Sequence, residues 1–226
     1  MKNKVFIIQL LYALTTAIVL LIIAMLFYPG GTFFDPHANS YRFFENFLSH
    51  LGREVSYIGI DNTISKILFK SSIYLIGGSF IVYFFAIPFY FKNHRKSYRL
   101  TKASTLIVLI AAIAFVGIGY FSIDPATKYY HLMCVKLSFY SFFISCFLQT
   151  FAVYFHPLMT KKMFISYLSF TTILLAYNLL IQFGPKPNSN YDSLILQVTA
   201  QKIIATAFFV NFYIQGFELV KVLKRG

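Results

Sequence analysis

Residues 5–28 read VFIIQLLYALTTAIVLLIIAMLFY, an apolar run without one charged side chain. A helix rises about 1.5 Å per residue, so about 20 such residues cross a hydrocarbon core roughly 30 Å thick. Five more stretches of comparable length follow, at Ile67–Phe91, Ser104–Ile123, His131–Phe155, Met163–Phe183 and Leu194–Leu219. A soluble chain of 226 residues could not hide six such segments from water. The fold class is therefore all-α, a six-transmembrane-helix bundle forming a single integral membrane domain over residues 1–226.

Composition agrees: 58% of residues are hydrophobic and only 12% charged, about half the charged share of an ordinary globular protein. With no Trp, Tyr is the only interfacial aromatic with a polar handle. Tyr28, Tyr41, Tyr57, Tyr90, Tyr129, Tyr130 and Tyr154 all fall near predicted helix ends, where that handle can stay wet. The formal net charge of +13 does not point to nucleic acid, because the basic residues gather in short links beside the spans rather than on one continuous face. Lys2 and Lys4 precede the first span, and Lys92, Arg95, Lys96, Arg99 and Lys102 fill the link between the second and third. Lys161 and Lys162 lie between the fourth and fifth, and Lys221, Lys224 and Arg225 follow the sixth. Six of the seven acids (Asp35, Glu45, Glu54, Asp61, Asp124 and Asp192) fall on the other side. The bias predicts both termini in the cytoplasm and a place in the cytoplasmic (inner) membrane.

The first span is too long for a secretory signal core, and Tyr28-Pro29-Gly30-Gly31-Thr32 offers no small-x-small cleavage site, so it reads as a retained helix. Cys134 and Cys146 sit on one helix about 18 Å apart by rise, too far to pair with each other. Close helix contacts are expected at Ala111, Ala114 and Gly117 and along Ser65, Ser72 and Ser79. Pro88 falls in the last turn of the second span as a structural kink site.

One link is long enough to hold structure. Within residues 29–65, Phe44, Phe47, Leu48 and Leu51 recur at helical spacing and Gly52 is placed as a terminator. Arg42, Glu45, Asn46, Ser49 and His50 fall largely on the opposite side. This predicts a short amphipathic helix in the outer interface or plugging the bundle mouth, with Asp61 or Thr63 capping the second span.

Polar groups inside spans are costly in lipid and so point toward function. The fourth span carries His131, Cys134, Ser138, Ser141, Ser145 and Gln149 on one face; the sixth carries Gln197, Gln201, Asn211 and Gln215; the fifth adds Asn178 and Gln182. Two readings fit: faces that pack together through interhelical hydrogen bonds, or a polar cavity between spans four, five and six that opens outward. Lys70 and Lys136 lie about 6 and 8 Å inside their outer helix ends and can snorkel. Lys202 lies about 12 Å inside, where facing lipid would cost roughly 2.5–3.5 kcal/mol. It needs a partner, a wet cavity or an anionic ligand, with Asp124 or a lipid phosphate as candidates.

The histidines raise a metal site. His94 and His156 lie on the other side, which leaves His37, His50 and His131 with Asp35, Asp61 and Asp124. Three His and a carboxylate could hold zinc, yet no HExxH-like pair is present, and wet interfacial residues are the commoner explanation. No metal and no cofactor are therefore assigned. Ser49 and His50 are adjacent, so on a helix their side chains diverge by about 100° and do not make a nucleophile–base pair.

The run Asn46-Phe-Leu-Ser-His-Leu-Gly52, followed by Asn62, the Leu68-Phe69 start of the second span and Gly77-Gly78, resembles a six-helix family of bacterial and archaeal membrane proteins known as a domain of unknown function. That family carries an Asn/Pro-x-x-Ser-acidic-x-Gly motif after its first helix and a second motif similar to Asp124 followed by His131. More distantly the chain is similar to DRAM/FRAG-type membrane proteins, some of which handle lipids. Here His50 stands where the family usually has an acid. The resemblance implies fold and topology, and no particular activity.

Three functions follow as expectations. The first is an outer-leaflet pocket for an anionic lipid or lipid-linked phosphate, built from Asn46, Ser49, His50, Lys70, Asp124, His131, Gln197, Gln201 and Lys202, with membrane lipid as the partner. The second is an intramembrane hydrolase or transferase using His131 as base oriented by Asp124, with or without zinc. A small transporter ranks third, since no inverted repeat or interrupted helix pair is visible.

Overall fold

The computed structural model describes the backbone of residues 2–225 and the side chains of residues 7–223. Six helices account for most of it: α1 (Lys2–Leu26), α2 (Thr63–Phe91), α3 (Arg95–Tyr120), α4 (Lys128–Phe155), α5 (Lys161–Phe183) and α6 (Tyr191–Arg225). All six are long and apolar enough to cross a membrane, which makes the chain a multi-pass integral membrane protein. Each helix packs on the next in chain order, and α1 closes the ring against α6. The side chains of Lys2, Lys4, Lys224 and Arg225, part of the expected charge bias, lie outside the described residues.

The helices overrun the expected spans at several ends. α3 begins nine residues before Ser104, and α6 runs from Tyr191 rather than Leu194. Hydropathy marks only the lipid-immersed part of a helix; backbone hydrogen bonding carries it on until a cap stops it. For α3 that cap is His94, whose Nδ1 accepts the Ser97 amide at 3.3 Å.

Small and hydroxylated residues set the close contacts. The Ser104 hydroxyl donates to the Ser145 carbonyl at 3.0 Å and the Ser145 hydroxyl to the Ser104 carbonyl at 3.1 Å, which locks α3 to α4. The Ser72 hydroxyl reaches the Ala17 carbonyl at 2.8 Å, tying α2 to α1. Pro88 lacks the amide that would bond the Phe84 carbonyl, and the Thr105 hydroxyl of α3 donates to that carbonyl instead, at 2.6 Å. At the centre Phe80 stacks on Phe142 with ring centroids 4.8 Å apart and meets Phe208 edge-on at 4.9 Å.

Residues 29–62 form a cap over one end of the bundle. Gly30 (φ 129°) and Gly31 (φ 81°) turn the chain into it in backbone conformations that L side chains rarely adopt. The expected amphipathic helix is not what forms. Asn46 N bonds the Arg42 carbonyl at 2.8 Å in a single turn, and a 3-10 helix, Leu48–Gly52, follows. The Asn46 side chain is the reason: its Oδ1 takes the Arg42 amide at 2.9 Å, closing a local loop that competes with helix propagation. The expected polar face is also corrected, because Asn46 and His50 are buried at 0% and 1% exposure. Tyr28, expected at a wet helix end, is buried beneath the cap with its ring edge-on to Tyr41 at 5.9 Å.

Candidate functional site

The cap is riveted to the bundle by the polar residues that the sequence singled out. Asn46 donates through Nδ2 to the Gly31 carbonyl at 2.9 Å and to His50 Nδ1 at 3.2 Å. The Nδ1 of His50 is then an acceptor, and its Nε2 proton faces the Tyr57 hydroxyl at 3.4 Å. Burial, reinforced by the nearby cations Arg53, Lys202 and Lys128, holds the His50 imidazole well below its ordinary value. It is a neutral structural hub. Asn62 donates to the Leu51 carbonyl at 2.9 Å and to the Arg53 carbonyl at 3.0 Å, and the Ser65 hydroxyl to the Leu51 carbonyl at 3.3 Å, which fastens the cap to α2.

Asp124, in the α3–α4 turn, accepts the Glu54 amide at 2.8 Å and lies 3.4 Å from the Arg53 guanidinium. His131 donates its Nδ1 proton to the Phe121 carbonyl at 2.7 Å. Asp124 therefore does not orient His131, which corrects the expected base–orienter pair. Asp61, one residue before the Asn62 N-cap of α2, accepts the Thr63 amide at 3.1 Å, and this bond lowers its carboxyl pKa. Lys70 lies 3.9 Å from Glu54, which also bonds Lys66. Among the described residues no three His, Cys, Asp or Glu side chains converge to hold a metal ion. His37 is exposed at the rim of the cap.

Lys202 finds partners as expected, but Asp124 is not one of them. Its ammonium donates to the Tyr41 hydroxyl at 2.6 Å and to the Asn46 carbonyl at 2.8 Å. It also lies 5.2 Å from the centroids of both the Tyr41 and Phe43 rings. Neither Asp124 nor any other carboxylate among the described residues comes within ion-pair reach. Tyr41 supplies no negative charge, since burial pushes its phenol well above the ordinary range. Lys202 is 6% exposed, and its uncompensated charge borders a groove of about 690 Å³ between α5 and α6. Phe43, Ile165, Phe170, Ile173 and Ile203 also line that groove.

Several of the polar residues expected to line a cavity between spans four, five and six make packing and hydrogen-bond contacts instead. The α4 stripe packs on α3 through Ser145, and a Cβ on Gly117 would come within 2.5 Å of the Cys134 sulfur. On α6, Gln197 donates to the Pro185 carbonyl at 2.9 Å, closing the α5–α6 turn. Gln201 accepts the Leu48 amide at 2.7 Å. Beneath the cap lies a partly open, mostly apolar chamber of about 110 Å³ whose polar liners are Ser49, His131 and Gln201.

Sequence reading missed Tyr41 and Phe43 as partners of Lys202. Both sit in a link about 160 residues away in the chain, and the one signal for them was an aromatic cluster next to a predicted helix mouth.

No curated protein and no solved structure matches the chain, so the more distant likeness to DRAM/FRAG-type proteins rests on sequence pattern alone. A family profile described as Protein of unknown function (DUF998) matches residues 17–210. With six membrane-spanning helices and this match over most of its length, the chain belongs to that family.

Proposed function

We propose that the protein binds an anionic lipid or lipid-linked phosphate at the capped end of the bundle, with the head group at Lys202 and an acyl chain in the α5–α6 groove. One observation carries this reading: a buried ammonium without a carboxylate partner among the described residues borders an apolar-lined groove between α5 and α6. Two of its three N–H donors are taken by Tyr41 and Asn46, which leaves the third for a phosphate oxygen. The loop charge bias supports both termini in the cytoplasm, a place in the cytoplasmic membrane, and a site in the leaflet away from it. The same bias is an orientation signal and gives no nucleic-acid surface.

A hydrolase built on His131 and Asp124 gains no comparable support, because each is engaged by backbone or by the cap.

Native mass spectrometry of the full chain in mild detergent tests the reading. The wild type should retain anionic phospholipid in preference to zwitterionic lipid, and Lys202→Gln should bind it about ten- to hundredfold more weakly. A thermal melt of Lys202→Gln confirms folding. Equal retention by both proteins, or no preference for anionic lipid, removes the reading.

A further inference from the structure

The chamber beneath the cap is separate from the Lys202 groove, and its walls describe a different ligand. Rings of Phe69, Phe115, Phe142 and Phe208 dominate its lining, and no Lys, Arg, Asp or Glu contributes to it. Its volume of about 110 Å³ is of the order of an apolar cavity of about 150 Å³ that takes benzene. It is not uniformly apolar, however.

Three hydrogen-bonding groups at its capped end have capacity to spare. The Nδ1 proton of His131 goes to the Phe121 carbonyl, so the neutral ring keeps a lone pair on Nε2. The carbonyl oxygen of Gln201 is taken by the Leu48 amide, which orients its NH2 group as a donor with no partner among the described residues. The Ser49 hydroxyl has none either. An acceptor, a donor and a hydroxyl therefore meet at one end of an aromatic-lined void. A hydroxyl oxygen suits that set, donating to His131 Nε2 while accepting from the Gln201 amide.

We infer that the chamber is a second binding site, for a small neutral ring bearing one hydrogen-bonding oxygen, a phenol-like or aromatic-alcohol group. The ring fills the space among the phenylalanines, and the oxygen satisfies His131 and Gln201. Charged molecules are excluded, since nothing in the lining compensates a charge.

Fluorine NMR of the full chain in nanodiscs tests this with para-fluorophenol and fluorobenzene as probes. Para-fluorophenol should give a bound resonance and bind about tenfold tighter than fluorobenzene, the share of one net hydrogen bond. Ala205→Leu fills the chamber from α6 and Ser49→Leu fills it from the cap, and the bound signal should vanish in each variant that retains a wild-type melt. No bound resonance, a resonance that survives a folded filler variant, or equal affinity for the two probes would overturn the inference. Both fillers leave Lys202 in place, so anionic-lipid retention is read independently on the same samples.

Discussion

Gln201 and Lys202, consecutive on α6, grip the same short piece of the cap from two sides. Gln201 accepts the Leu48 amide at 2.7 Å and Lys202 donates to the Asn46 carbonyl at 2.8 Å. Neighbouring helical side chains diverge by about 100°. Gln201 therefore faces the chamber beneath the cap and Lys202 the α5–α6 groove, with residues 46–48 as the wall between them. Whatever loosens that wall should affect both spaces.

Asn46 is its most exacting member. Its buried side chain serves the Gly31 carbonyl, His50 Nδ1 and the Arg42 amide together. Asn46→Ala should weaken the cap by about 2–4 kcal/mol by stranding these partners. Limited proteolysis should then cut within residues 29–62 while the helices keep their circular dichroism. An unchanged cleavage rate would show that the side chain is dispensable.

The cap should also be sensitive to acid through His50. Its folded pKa lies below the unfolded value of about 6.5. The unfolded cap therefore binds the proton more readily, and stability is complete above about pH 6.5 and declines as pH falls below it. Protonated Nδ1 would also confront the Asn46 NH2 group that now donates to it. Hydrogen exchange across residues 46–57 should accelerate from pH 7 to pH 5 in the wild type. In His50→Gln the exchange, corrected for intrinsic rates, should be nearly flat over that range; the same slope in both proteins would assign the acid response to another group.

Pro88 and Thr105 should be energetically coupled. Thr105→Val removes the hydroxyl that satisfies the Phe84 carbonyl and should cost about 1–2 kcal/mol. In a Pro88→Ala background the restored helical amide can take that carbonyl, and the cost should shrink by at least half. Thermal melts of the four proteins close the cycle, and additive effects would refute the coupling.

Gly117 of α3 packs directly against Cys134 of α4. A methyl there meets the Cys134 sulfur at 2.5 Å, so Gly117→Ala should destabilise by about 1–3 kcal/mol. Adding Cys134→Ala should recover most of the loss, because the obstructing atom is gone. Failure of that rescue would place the strain elsewhere along the interface.

Six helices, their alternation and the segregation of acidic from basic links could all be read from the chain, because length, hydropathy and charge are local quantities counted over 20-residue windows. The need of Lys202 for a partner was equally legible, since a buried charge is costly wherever the helix turns. Which partner it finds was not. Tyr41 and the Asn46 carbonyl reach it from a distant link, and the amphipathic pattern of residues 40–52 lost to hydrogen bonds that one buried asparagine makes in three directions. The chamber, too, arises only when all six helices meet under the cap, because a void belongs to no single residue and exists only where several surfaces fail to interlock.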